Sequence, residues 1–119
     1  MSDPSALDES ALARLREWGG DKLLGQMIRL FLENAPTRMD QIRTGATGGD
    51  IQEAEKGAHS LKSSAANVGA MALRELAADI ERAAGAGDVN RVEELFAPIE
   101  AAFAEAIAAL GAVEQGLSG

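Results

Sequence analysis

Apolar residues recur along the chain at three- and four-residue spacing, and pairs of glycine and aspartate interrupt the runs. Gly19-Gly20-Asp21, Gly48-Gly49-Asp50 and Gly85-Ala86-Gly87-Asp88 are the interruptions. Glycine ends a helix by entering the left-handed region, and aspartate caps the free N–H groups of the next one. Together with Asn67-Val68-Gly69, these breaks predict five helical segments.

Segment one runs from about Asp8 to Trp18, with Asp8 as N-cap and Leu12, Leu15 and Trp18 as a short apolar edge. Segment two runs from about Lys22 to Ala46, where Leu23, Leu24, Met27, Ile28, Phe31, Ala35, Met39 and Ile42 recur at three- and four-residue spacing. Pro36 lies inside it and predicts a kink or a division at Ala35. Segment three covers Ile51 to Asn67, opened by Asp50 and Glu53 as a capping box. Segment four covers Ala70 to Ala84, with Leu73, Leu76, Ala77 and Ile80. Segment five covers Val89 to Val113, with Val92, Leu95, Phe96, Ile99, Phe103, Ile107 and Leu110. Pro98 predicts a bend in it, and Gly116 to Gly119 reads as a frayed tail. Four long amphipathic helices bury their stripes most simply as an antiparallel four-helix bundle. The first segment is too short to join it and is expected to cap one end. The fold class is therefore all-α, an antiparallel four-helix bundle with a short extra N-terminal helix. Residues 1–119 form one domain with a core of about 8–113.

Composition agrees with helix: the chain has 24 alanines and 13 leucines, against 13 valines, isoleucines and threonines together. The absence of cysteine excludes disulfides, zinc–thiolate sites and cysteine nucleophiles. A net charge of −8 argues against nucleic acid and anionic membranes as partners. No apolar run approaches the ~18–20 residues needed to span a bilayer. The N-terminus has neither a basic nor an apolar region of a signal peptide, so the expected location is the cytoplasm.

His59, the single histidine, breaks the pattern of segment three. With Ile51 at 0°, the apolar stripe of Ile51, Ala54, Ala58, Leu61, Ala65 and Val68 spans about 260° to 360°, and His59 falls at about 80°. His59 is thus expected to face solvent, which by itself also describes an ordinary surface histidine. Lys62 at about 20° and Lys56 at about 140° flank it. Ser63 and Ala66 lie just beyond it and are small. An unprotonated imidazole nitrogen is a nucleophile, and a phosphoryl group placed on it would meet two ammonium groups. Glu55, four residues earlier, either raises the imidazole's basicity or repels an incoming phosphate.

The run Ala58-His59-Ser60-Leu61-Lys62-Ser63-Ser64-Ala65-Ala66-Asn67-Val68-Gly69-Ala70 resembles the signature of histidine phosphotransfer (HPt) domains, A-H-x-L-K-G-S-[SA] followed by small residues and G-A. Leu30-Phe31-Leu32-Glu33-Asn34-Ala35-Pro36 is similar to that family's second helix, and Gly85-Ala86-Gly87-Asp88 to its usual break before the last helix. The resemblance implies a phosphorelay carrier rather than an autonomous kinase or hydrolase. His59 would be the phosphoryl acceptor, and Lys62 would steady the phosphoryl oxygens. Lys56, Ser63 and Asn34 would be accessory, Asn34 matching a polar position that often faces the histidine. Ser63 stands where the family usually has glycine, and with Ala66 it would leave clearance for a docking partner. The implied partners are response-regulator receiver domains and a hybrid histidine kinase. The chain itself is expected to be a monomer that needs no cofactor and holds no metal, the divalent cation being the receiver's. Met1 and the extent of the resemblance favour a free-standing protein. A degenerate bundle that binds a partner without carrying phosphate is the alternative. A di-metal carboxylate bundle fails because Lys56 stands three residues before His59 and there is no second histidine.

Overall fold

A computed structural model describes residues 7–118. Four helices follow in order: α1 (Glu9–Gly48), α2 (Ile51–Asn67), α3 (Met71–Gly85) and α4 (Val89–Ser118). Each packs against its neighbour in sequence and α1 closes against α4, which makes an antiparallel bundle. The core is built from large aliphatics such as Leu24, Ile28, Ile42, Leu61, Leu73, Ile80, Ile99 and Leu110, with alanines 54, 58, 65 and 77 between them. Small residues at these positions let the helix axes approach closely.

The helix starts follow the predicted chemistry. Asp8 accepts from the Ser10 N–H at 3.0 Å, Asp50 from the Glu53 N–H at 3.2 Å and Asp88 from the Arg91 N–H at 3.1 Å. The carboxylate of Glu53 does not reach back to complete a capping box. It accepts instead from Gln41 Nε2 on α1 at 3.3 Å. At the turn between α2 and α3, Gly69 has φ 76° and its carbonyl accepts from the Asp8 N–H at 2.6 Å. A Cβ there would lie 2.8 Å from the Asp8 carbonyl oxygen, so this close approach needs glycine.

The short N-terminal helix is present as expected: α1 consists of two helices joined across a kink at Gly20 (φ 69°, ψ −166°), the break predicted at Gly19-Gly20-Asp21. Three expectations are corrected. Pro36 does not divide α1, whose only non-helical torsions are at Gly20. Pro36 sits on the exposed side, where water can hydrate the carbonyl that loses its donor. The C-terminal tail is helical to Ser118, because Leu117 packs on the core and Glu114 pairs with Arg29 of α1 at 3.7 Å. Finally, α4 is long and apolar enough to cross a membrane by length and composition, with a mean hydropathy of 1.6 in its best window. The alanine-rich stretch between Glu100 and Glu105 and beyond raises that mean without an uninterrupted run. In the fold, Val92, Leu95, Ile99 and Leu110 of this helix are core residues.

Candidate functional site

The predicted face of α2 is the observed one. Ala54, Ala58, Leu61 and Ala65 are buried, and His59 stands out with 65% of its side chain exposed. One buried position on α2 went unpredicted. Gly57 lies against α1 so closely that a Cβ would be 2.7 Å from both the Arg38 carbonyl oxygen and Gln41 Cβ. That contact brings Arg38 and Gln41 up beside the histidine's helix. From α3, Glu81 reaches the other side. It lies four residues after buried Ala77 and three before buried Ala84, on the edge of that helix's apolar stripe.

Glu81 ties the site together. One carboxylate oxygen is 2.6 Å from His59 Nδ1, and the other accepts from Lys62 Nζ at 2.6 Å. The Lys62 ammonium, and to a smaller extent the imidazole, hold the Glu81 carboxyl below its ordinary value, against the opposing effect of burial. An ionised carboxylate only accepts hydrogen bonds, so the ring must carry a proton on Nδ1. A neutral imidazole so held has its lone pair on Nε2, the nitrogen not bonded to Glu81.

The surroundings form an open pocket of about 500 Å³ lined by Arg38 and Gln41 of α1, Glu55, Lys56, His59 and Ser60 of α2, and Glu81 of α3. Lys56 therefore flanks the histidine as predicted. Lys62 is closer in than expected, one-third exposed and already paired. Ser63 is exposed and Ala66 half-buried, in line with low relief on that side. Asn34 does not join the His59 pocket. It lines a neighbouring groove with Ser64 and Asn67, because in the antiparallel pair α1 meets α2 at Gly57 through Arg38 and Gln41, one turn further on. Glu55 leans toward the end of α3, its Oε2 3.1 Å from where a Cβ of Gly85 would sit. Glu81 was missed because its partners lie on another helix. The available signal was a carboxylate bordering the small buried residues of α3. Among the described residues, no group of three or more metal-ligating side chains is present.

The family model for the Hpt domain matches residues 26–113, which hold His59, Lys62 and Glu81. The chain belongs to the Hpt domain family. It is similar to the crystal structure of histidine-containing phosphotransfer protein B (HptB) from Pseudomonas aeruginosa PAO1. The match has a TM-score of 0.87 at 26% identity, over 95% of this chain and 97% of that one. A comparison with curated proteins finds no match. Hpt domains are phosphotransfer carriers of two-component signalling and work with receiver domains and histidine kinases. This Hpt domain therefore has a carrier role in a phosphorelay.

Proposed function

We propose that His59 Nε2 accepts a phosphoryl group from the aspartyl phosphate of one receiver domain and passes it to the aspartate of another. The observation that carries this reading is the Nδ1–Glu81 contact at 2.6 Å, which leaves the Nε2 lone pair free on an exposed ring. In the forward step Nε2 attacks phosphorus, and the bond from phosphorus to the aspartate oxygen breaks. The aspartate carboxylate leaves with the electron pair. The proton stays on Nδ1, so the product is a phosphoimidazolium whose positive charge faces Glu81. Onward transfer reverses these roles, and the neutral imidazole is the leaving group. Glu81 compensates the positive charge that the ring gains in the forward step and gives up in the onward one. Lys62 exchanges one oxygen of Glu81 for a phosphoryl oxygen, a charge-assisted contact. The phosphoryl group and its divalent cation arrive with the partner.

The test is to incubate the chain with phosphorylated receiver domains of the source organism. The expected product is acid-labile, alkali-stable phosphate on this chain, absent from His59→Gln. Labelling retained in His59→Gln moves the acceptor elsewhere. No labelling of the unmodified chain by any receiver favours a bundle that binds without carrying phosphate.

A further inference from the structure

The α1 side of the His59 pocket holds positive charge that the fold itself does not use. The chain is strongly acidic, at −8. Accordingly Arg16, Arg29, Arg43, Arg74, Arg82 and Arg91 each lie within ion-pair distance of a carboxylate. Among the described residues, Arg14, Lys22, Arg38 and Lys56 have no such partner, and of these Arg38 and Lys56 stand beside His59. Both line the pocket of His59.

Arg38 is positioned rather than neutralised. The close approach at Gly57 sets its backbone against α2. Its Nη1 donates to the neutral acceptor Gln41 Oε1 at 3.1 Å, and Gln41 is held in turn by Glu53. The carboxylates of the pocket lie on the opposite flank. Glu81 belongs to α3 and is engaged with His59 and Lys62, while Glu55 leans toward Gly85 at the end of α3. Among the residues that line the pocket, the cations without a carboxylate partner thus lie toward α1, while toward α3 the charge of Glu81 is matched by Lys62.

We infer that Arg38 and Lys56 form a docking edge for the receiver domain, seating an acidic flank of that partner and so fixing the orientation in which its phosphoryl-bearing side chain meets His59. The inference rests on the carrier reading above. Chemistry makes the partner's rim acidic: an aspartyl phosphate is itself anionic, and the hard divalent cation beside it is held by further carboxylate oxygens. Complementary charge of this kind raises encounter rates and selects register more than it deepens affinity.

The experiment takes the phosphorylated receiver that labels the unmodified chain fastest and measures kcat/KM for transfer across a range of salt. Arg38→Glu and Lys56→Glu are each expected to lower kcat/KM about tenfold at low salt, through KM, and to flatten the salt dependence. Arg38→Gln is expected to move in the same direction by less, which guards against misfolding of the charge reversal. Arg91→Glu, the same change of charge on α4, is expected to alter neither quantity. Wild-type efficiency and salt dependence in Arg38→Glu and Lys56→Glu overturn the docking edge. An equal loss in Arg91→Glu overturns it too, by tracing the effect to net charge. Failure of every receiver to label the unmodified chain overturns the carrier reading itself, and with it the docking edge.

Discussion

Glu81 of α3 holds the imidazole of His59 on α2 through a 2.6 Å contact to Nδ1, and its second oxygen holds Lys62 at the same distance. A carboxylate in this place sets the tautomer and, in the proposed function, compensates the charge of the phosphorylated ring. Glu81→Ala is expected to slow receiver-to-histidine transfer by about 10–100-fold, the usual cost of losing a group that orients a reactive histidine. Glu81→Gln, which still accepts from Nδ1, is expected to recover part of the rate. Equal rates in both variants, or no loss in either, contradict the assigned role.

The same carboxylate gives the fold an acid-sensitive element. Its folded-state value is lowered by Lys62 and His59, so its stabilising contribution is present above the ordinary value of 4.5 and is lost as pH falls through the lower folded value. Urea unfolding of wild type and Glu81→Gln is therefore expected to show a stability difference at pH 7 that shrinks below the ordinary glutamate range. A difference independent of pH contradicts this linkage.

Lys62 is one-third exposed and lies one turn from His59. Lys62→Ala is expected to slow transfer or shorten the phosphohistidine lifetime. Its effect on stability is expected to be below about 1 kcal/mol, as for partly exposed ion pairs. Quench-flow transfer and hydrolysis rates check this, and unchanged values in both refute it.

Much of this architecture can be read directly from the sequence. Asp8, Asp50 and Asp88 announce helix starts because capping is local chemistry, and the position of His59 follows from helical spacing alone. Contacts between helices are a different matter. Glu81, Arg38 and Gln41 approach His59 only because α3 and α1 pack beside α2 in one register, and no periodicity within a single helix encodes that register. Asn34 shows the same limit from the other side: a polar residue on the right helix lines the next groove along. The tail departs from expectation for a related reason. The bundle supplies packing, through residues such as Leu117, that local propensity does not count.

Gly57 sets that register between α1 and α2. Gly57→Ala gains about 1 kcal/mol of helix propensity but forces a Cβ to within 2.7 Å of the Arg38 carbonyl oxygen. Overpacking of this kind typically costs about 1–3 kcal/mol, so a net loss of stability is expected. Gly111→Ala, whose Cβ would meet no atom within 4 Å, is expected to stabilise the protein instead. Thermal melts of both variants check this, and stabilisation by Gly57→Ala contradicts the close helix approach.

The central claim is that Glu81 leaves Nε2 of His59 as the nucleophile. Phosphorylating the chain with its receiver and recording nitrogen-15 and phosphorus-31 spectra of the labelled histidine tests it most directly. The account predicts phosphorus bonded to Nε2 with a proton retained on Nδ1. Phosphorus on Nδ1, the nitrogen that faces Glu81, or on any residue other than His59, would contradict it.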